Sequence, residues 1–182
     1  MAVKTSYHKA PKEEKKVSVS YWAKEELVCP VCRAKFRQEV MHKGGGRMIA
    51  GNLTDELHRI FEPSKKFGRV YPMIYDVGSC PKCHTAFFWK DFTDVKDSVS
   101  FDRILQDEEN RKRAVSDIFP YYNLDRERTL FDGAAMYYLA LLCYEKLDIA
   151  YAPTFKRAMI SLRLAWLCKD LDRVCPGHNY EY

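Results

Sequence analysis

Cys29-Pro30-Val31-Cys32 and Cys80-Pro81-Lys82-Cys83 are the two stretches that decide the fold of this chain of 182 residues. In a CxxC loop two thiolates can reach one metal ion, and the proline after each first cysteine stiffens the loop. Two such pairs complete a tetrahedral shell of four thiolates, the usual structural zinc site. The sequence therefore predicts one structural zinc ion per chain, with iron as the alternative metal. The predicted ligands are Cys29, Cys32, Cys80 and Cys83.

Each cysteine pair on its own also fits another chemistry. A single Cys-Pro-x-Cys pair is similar to the redox pair of glutaredoxins, in which the start of a helix lowers the pKa of one thiol. The second pair, followed by His84, also fits the attachment pattern of c-type haem, which requires export. The presence of two pairs favours a shared metal site over both alternatives.

Charged residues flank the predicted site. A divalent metal bound by four thiolates carries a net charge of about −2, which neighbouring cations can offset. We expect Arg33, Lys82 and His84 to have this role. Because a shell closed by four thiolates leaves no position for water or substrate, it predicts a structural metal and not a catalytic one. No arrangement of nucleophile, base and acid stands out elsewhere, so we expect no enzyme.

Residues 21–96, which contain both cysteine pairs, have the composition of short strands and turns. Thr54 is predicted to cap a short helix that Pro63 ends. This helix would lie in the 47-residue gap between the two pairs. Aromatic and β-branched residues elsewhere favour strands. The predicted strands are 36–41, 69–77 and 85–89.

The sequence pattern changes to a helical period in residues 97–182. Apolar residues of the segment 101–118 follow helical spacing and predict an amphipathic helix that ends near Pro120. The basic residues 111–113 lie beside acidic ones and are expected on its solvated face.

Two further helices are predicted toward the C-terminus. Residues 130–147 are apolar nearly all round, as in a helix buried between neighbours. A second helix is expected to begin at Pro153 and to continue through Leu171. Together they predict an αα-hairpin, in which Ala158 and Ala165 would allow a close approach of the two helices.

Composition and charge limit the class of protein. Hydrophobic residues make up 47% and aromatic residues 14% of the chain, enough for a buried core. The net charge is +5, and residues 1–20 contain five lysines and two glutamates, which predicts a flexible basic arm. The N-terminus lacks the apolar segment of an export signal, and seven cysteines without export favour metal chemistry over disulfides. We therefore expect a cytoplasmic protein with no membrane span.

Basic residues between the cysteine pairs support a second hypothesis. Lys43 and Arg47 flank the triple glycine at residues 44–46, and Lys65 and Lys66 follow shortly after. Zinc ribbons often present basic loops to nucleic acid, so these four residues are candidate contacts to nucleic acid or another anion. The modest net charge and the interspersed carboxylates weigh against this hypothesis.

Several short motifs lie around the two cysteine pairs. They are Tyr21-Trp22, Lys24-Glu25-Glu26, Gly45-Gly46-Arg47, Asp55-Glu56-Leu57 and Tyr75-Asp76-Val77. Together with the paired CPxC stretches they resemble a bacterial family known only as a domain of unknown function. The resemblance extends from residue 21 to about residue 172, and Glu62-Pro63-Ser64-Lys65-Lys66 is most similar to spirochaetal members. It implies a cytoplasmic bacterial protein with tetratricopeptide-like helices behind the metal lobe. Members commonly have glycine where this chain has His84.

These observations combine into one expected architecture and function. We expect an α+β protein in which a flexible arm (residues 1–20) precedes a small β-rich, zinc-ribbon-like lobe with an inserted short helix (residues 21–96). A tetratricopeptide-like α-helical lobe (residues 97–182) follows. The expected function is a non-catalytic, zinc-stabilised adaptor that binds a protein partner through the helical lobe. A zinc-ribbon nucleic-acid-binding protein is the first alternative, and a thiol redox protein is the second. The sequence does not fix the oligomeric state.

Overall fold

Three small β-hairpins and five α-helices make up the fold of residues 18–177, which are the residues that the computed structural model describes. All strand pairs in this range are antiparallel. The strands are β1 (Ser20–Val28), β2 (Lys35–Met41), β3 (Ile49–Leu53), β4 (Arg59–Glu62), β5 (Val77–Ser79) and β6 (Ala86–Phe88). The helices are α1 (Asp91–Asp94), α2 (Ser98–Gln106), α3 (Glu108–Ile118), α4 (Leu130–Tyr144) and α5 (Pro153–Val174).

Two of the hairpins turn at the cysteine pairs. In the first, β1 pairs with β2 up to Val28 opposite Lys35, and the first CPxC stretch forms the turn. In the second, β5 pairs with β6 up to Ser79 opposite Ala86, and the second CPxC stretch forms the turn. The strands predicted on the C-terminal side of each pair are confirmed.

The insertion between the cysteine pairs is a third hairpin, so the short helix predicted from Thr54 is wrong. Ile49 of β3 lies opposite Glu62 of β4. Thr54 begins the turn between these strands: its amide donates to the carbonyl of His58, and its hydroxyl oxygen accepts from the amide of His58. The segment is short, and periodicity alone does not separate a strand from a helix in so short an apolar window.

A 3₁₀ turn replaces most of the strand predicted at residues 69–77. The turn covers Pro72–Tyr75, and β5 begins only at Val77. Proline is favourable at the start of the turn because its φ is already fixed near the helical value and its missing N–H would have had no partner. Backbone geometry at Pro72 therefore outweighs the β propensity of the surrounding aromatic residues.

Two helices, and not one, cover the amphipathic segment predicted at residues 101–118. α2 ends before Asp107, whose φ of −89° and ψ of 8° leave the α-helical region, and α3 starts after it. Ile104 and Val115 are fully buried on either side of this break. The apolar face predicted from the helical spacing therefore exists, although the axis changes within it.

Helix α4 lies at the centre of the core, as its apolar sequence predicts. Its start is a capping box: Thr129 Oγ1 accepts from the Asp132 amide, and the Asp132 carboxylate accepts from the Thr129 amide at 2.9 Å. A Cβ at Gly133 would lie 2.4 Å from the Cβ of Ile74. Glycine is therefore required where α4 crosses the 3₁₀ turn.

Helix α5 packs against α4 and completes the predicted αα-hairpin. Its buried face contains Ile160, Leu167 and Leu171. Ala158 and Ala165, which were expected to allow the close approach, are exposed instead. That detail of the prediction is wrong, because these two positions lie outside the buried stripe defined by the larger apolar residues.

A buried ion pair joins the first hairpin to the loop before α4. The Arg128 Nε donates to the Glu39 carboxylate at 2.9 Å, and both side chains are almost fully buried. The Arg128 Nη1 also donates to the carbonyls of Ile74 and Val77, each at 2.7 Å. Burial lowers the pKa of Arg128, and the charge of Glu39 opposes this change. One guanidinium therefore ties β2, the 3₁₀ turn and β5 together.

The predicted division into an arm (1–20), a metal lobe (21–96) and a helical lobe (97–182) stays a prediction. Residues 1–17 of the arm lie outside the described residues, and Ser20 already belongs to β1. Buried residues from the hairpins and the helices form one continuous core cluster, with Phe87 of β6 against Tyr144 of α4. Within residues 18–177, no helix is both long enough and apolar enough to cross a membrane.

We expect Arg128→Ala to lower the free energy of unfolding by about 3–5 kcal/mol, because the substitution leaves the Glu39 carboxylate buried without its partner. Arg37→Ala is the matched control on the same strand pair, since Arg37 is exposed and lies 3.9 Å from Glu26. It should cost less than about 1 kcal/mol. Urea unfolding of both variants measures the difference; equal losses would contradict a special role for the buried pair.

Candidate metal centre

The four predicted cysteines come together in one cluster. Their Sγ atoms all lie within 4.8 Å of one another. The Sγ of Cys29 is 3.7 Å from that of Cys83, and the Sγ of Cys32 is 3.6 Å from that of Cys80. Each of these contacts joins the turn of the first hairpin to the turn of the second.

The two cysteine turns have the same backbone geometry. In the first, the amide of Arg33 donates to the carbonyl of Cys29, and the amide of Cys29 donates to the carbonyl of Ala34. The second turn repeats this pattern: the His84 amide donates to the Cys80 carbonyl, and the amide of Cys80 donates to the carbonyl of Thr85. The residue after each second cysteine has a left-handed φ, 61° in the first turn and 55° in the second. We call these two turns the cysteine knuckles (residues 29–34 and 80–85).

This arrangement fits a tetrahedral metal ion. A metal–sulfur distance of about 2.3 Å places the sulfurs of a tetrahedral shell about 3.8 Å apart, close to the shortest distances between the two knuckles. Cys29, Cys80 and Cys83 are fully buried, and Cys32 is half-buried. The four cysteines could therefore hold one metal ion in a largely buried site.

The thiols of the cluster interact strongly with one another. Hydrogen bonding to the Cys80 and Cys83 thiols, followed by burial, raises the pKa of Cys29. The pKa of Cys83 is lowered because its sulfur accepts hydrogen bonds from Cys29 and Cys80, and the Thr85 hydroxyl lies 3.0 Å from the same sulfur. The thiols of the cluster therefore influence one another's protonation. A cation bound among the sulfurs would displace the remaining protons.

Arg111 of α3 supports the second knuckle, although the sequence placed it on a solvated helix face. Its side chain is 1% exposed. The Nη2 donates to the carbonyl of Cys83 at 2.7 Å, the Nε to that of His84 at 3.3 Å, and the Nη1 to that of Ile104 at 2.8 Å. The prediction for Arg111 is therefore wrong: its charge is buried beside the ligand turn, where it can offset the charge of thiolates.

A sequence signal for Arg111 does exist. Ile104 and Val115 precede and follow it by seven and four residues, so all three share one helical face. The acidic residues beside Arg111 favour a solvent-exposed face, so the sequence alone does not reveal that Arg111 is buried. Only the tertiary structure shows that carbonyl oxygens, and not water, meet the guanidinium.

The three residues expected to flank the metal take different positions. Arg33 and Lys82 are exposed on the two knuckles, and neither has an ion pair within the part of the chain that the structure describes. The His84 ring is half-buried, and its Nδ1 is 2.8 Å from the Tyr122 hydroxyl. Burial, followed by the charge of Lys112, lowers the pKa of His84. His84 is therefore held by α3 and the loop after it, outside the four-cysteine cluster.

One further cysteine near the cluster had no assigned role. Cys143 of α4 is fully buried, and its sulfur accepts from the amide of Ala86 at 3.3 Å. Burial raises the pKa of Cys143 to about 11. Cys143 is therefore a protonated packing residue between α4 and β6, and the apolar sequence around it gives the only signal of this position.

The four basic candidate contacts do not form one surface of free charges. The Arg47 guanidinium lies 4.4 Å from the centre of the Phe67 ring and donates to the carbonyl of Gly44. The Nζ of Lys66 lies 5.3 Å from the same ring. Lys43 and Lys65 are exposed. Arg47 is thus engaged within the protein, and contact of these residues with nucleic acid stays a prediction.

The fold and site define a mixed α/β protein whose two cysteine knuckles meet in a potential metal centre. Residues 22–180 match the bacterial family DUF2225, described as "Uncharacterized protein conserved in bacteria". The chain belongs to this family, which confirms the resemblance.

A curated relative extends this result to spirochaetes. It is an uncharacterized protein of Borreliella burgdorferi that is 39% identical over 165 residues, which is 90% of this chain and 58% of the relative. The chain thus spans a little over half of the length of that relative. No solved structure matches the chain.

We expect Arg111→Met to weaken metal binding about 10- to 100-fold, because the carbonyls of Cys83 and His84 lose the donor that orients their turn. Arg113→Met is the matched control, since Arg113 is exposed on the same helix. Competition with a colorimetric chelator measures the affinities. Equal affinities of the two variants would show that Arg111 does not support the metal ligands.

We expect Arg33→Val to destabilise the protein by about 1–2 kcal/mol, because a β-branched residue fits the left-handed conformation poorly. Arg33→Gly should not be destabilising, since glycine adopts this conformation freely. Lys35→Val is the control in the adjacent strand, where β-branched residues are favoured. Thermal unfolding of the metal-loaded proteins tests this order, and a valine at position 33 as stable as glycine would contradict it.

Proposed function

We propose that this protein is a non-catalytic protein-interaction module, or adaptor, stabilised by one zinc ion. The observation that carries the proposal is the closed cluster of four cysteine sulfurs between two small hairpins. A tetrathiolate centre has no open position for a substrate. Its energetic effect is to join the hairpins, which have few residues of their own to bury.

Zinc is the metal that fits this role best. Four sulfur ligands at tetrahedral spacing suit zinc, and a structural zinc site is normally closed in this way. Iron also accepts four thiolates and would give an electron-transfer centre with visible absorption bands. Metal analysis and an absorption spectrum of the same sample therefore distinguish these two assignments.

An exposed apolar patch supports a protein partner on the helical side of the molecule. We call Val99, Ile149 and Phe155 the apolar patch; their exposed fractions are 58%, 85% and 67%. The amide of Asp148 donates to the hydroxyl of Ser100. Ile149 and Val99 adjoin these two residues in the sequence, so they lie at the same end of the helices. Exposed apolar clusters of this kind are typical of interaction surfaces.

The helical hairpin of α4 and α5 suits such a module. Tetratricopeptide-like proteins bind partners on helical hairpins, and the family resemblance suggests that comparison. The support for it is limited to the antiparallel pair itself, since Ala158 and Ala165 are exposed and do not lie in the contact. A stable solenoid also needs several repeats, so we propose a single interaction hairpin and not an array.

The redox alternative has weaker support. A disulfide-exchanging pair needs one accessible thiolate, whereas both thiols of the second pair are fully buried and Cys32 of the first pair is only half-buried. The nucleic-acid alternative has weaker support as well, since the Arg47 guanidinium stacks on Phe67 and is engaged within the protein. The adaptor proposal therefore remains the best-supported function.

The test combines metal removal with partner capture. We expect about one zinc per chain, and we expect Cys80→Ser or a strong chelator to remove it and to unfold the hairpins, as followed by circular dichroism. Wild-type protein should capture a specific partner from a lysate of the source bacterium. The double variant Ile149→Ser with Phe155→Ser should lose that partner while it keeps its zinc and its melting temperature.

Tyr121→Ser is the matched control for the patch, because Tyr121 is 83% exposed but lies outside it. This variant should capture the same partner as wild type. If both surface variants and wild type captured the same proteins, the helical side would not be the binding surface. If Cys80→Ser kept both its fold and its partner, the zinc-stabilised adaptor would be refuted.

A further inference from the structure

A cleft outside the metal centre lies between the β3–β4 hairpin and α5. Its volume is about 290 Å³. That is close to the lower end of the range found for small-molecule sites, about 300–1,000 Å³. Its walls are mainly aromatic and aliphatic, as in most such sites. The apolar wall residues used below are Leu57, Met73, Trp166 and Leu167.

The two carboxylates of the cleft already have cationic partners. The Asp76 carboxylate is 2.9 Å from Arg163 Nη1. The Asp170 carboxylate is 3.1 Å from Arg173 Nη1 and 3.7 Å from the His58 ring. The acidic groups are therefore neutralised within the protein and do not attract a further cation.

Two arginines of the cleft have no such partner. Within residues 18–177, no carboxylate oxygen lies within 4.0 Å of Arg59 or Arg69. Arg59 donates to the carbonyl of Gly51 at 2.7 Å, which leaves its charge uncompensated, and Arg69 is exposed at the edge of the cleft. The cleft therefore has a surplus of positive charge beside an apolar interior.

A buried donor in the cleft wall also lacks an acceptor. The indole Nε1 of Trp166 is inaccessible to solvent and has no hydrogen-bond partner among the described residues. The Trp166 ring stacks on His58 with 5.0 Å between ring centres and an angle of 3°. Because water does not reach the Nε1, a molecule in the cleft contacts the indole ring and not this N–H.

The environment of the cleft makes electrostatic interactions strong. Burial raises the pKa of Tyr71, raises that of Asp170 and lowers that of His58. In each case burial is the largest cause, which indicates poor access of water to these groups. A charged group that enters the cleft beside these buried residues is less screened than it would be in bulk solvent.

The tip of the hairpin beside the cleft is strained. Leu57 has a φ of 63°, which is unfavourable for a bulky residue, and its side chain is 72% exposed. Strained residues of this kind cluster at ligand sites. Leu57 lines the mouth of the cleft, where its side chain can cover the apolar part of a bound molecule.

We propose that this cleft binds a small organic acid with an apolar or aromatic body and a single anionic group. The body packs against Met73, Trp166 and Leu167, and the anion pairs with Arg69 and Arg59. This binding site is separate from the metal centre and does not depend on the adaptor proposal.

The experiment uses 3-phenylpropionate as the probe and its neutral analogue 3-phenylpropan-1-ol as the matched ligand. The chain has three tryptophans, so a ¹⁵N-labelled sample gives three indole N–H signals, and Trp166→Phe identifies the signal of Trp166. The acid should shift that signal in a saturable manner, because the bound molecule packs against the Trp166 ring. The alcohol should bind at least about tenfold more weakly, since it lacks the charge.

Arg69→Gln should raise the dissociation constant of the acid about tenfold, and Arg113→Gln, an exposed arginine on α3, should leave it unchanged. Both positions are exposed, so both variants should keep the wild-type melting temperature. The proposal is overturned if the acid leaves the Trp166 signal in place up to its solubility limit. It is also overturned if acid and alcohol bind equally well, or if Arg69→Gln binds the acid as tightly as wild type.

Discussion

The approach of four cysteine sulfurs between two hairpins is the constraint on which the rest of the structure depends. An isolated two-stranded hairpin is at best marginally stable in water, and β5 and β6 have only three residues each. The cluster holds the turn of one hairpin against the turn of the other. The ion pair of Glu39 and Arg128 joins the same two hairpins a second time. Two separate sets of interactions, the thiol cluster and the ion pair, therefore hold the hairpins together.

The cysteine centre could be predicted because its chemistry is encoded locally. Residue type and spacing within each CPxC stretch specify two ligands, and two copies specify the set. Helix α4 could be predicted equally well, because a helix with apolar residues on all sides is stable only when it is buried. In both cases the pattern that allows the prediction lies within a short stretch of sequence.

Features that depend on distant backbone could not be predicted. Arg111 can be buried because its guanidinium donates hydrogen bonds to the carbonyls of Cys83 and Ile104. No local sequence pattern predicts these acceptors. The hairpin at Thr54 was missed because strand pairing is a property of two segments, whereas helical spacing is a property of one. His84 occupies a left-handed backbone position, which favours glycine, and its residue type gives no sign of that conformation.

The order of the elements along the chain has a consequence for biosynthesis. All four cysteines of the candidate metal centre precede His84, so a growing chain presents the complete set before α3 and α4 leave the ribosome. The closure entropy of the intervening loop rises only slowly with its length, so early metal capture carries little penalty for the 47-residue separation. Arg111 can reach the second knuckle only afterwards. An ion bound during synthesis can therefore act as a template on which the later helices dock.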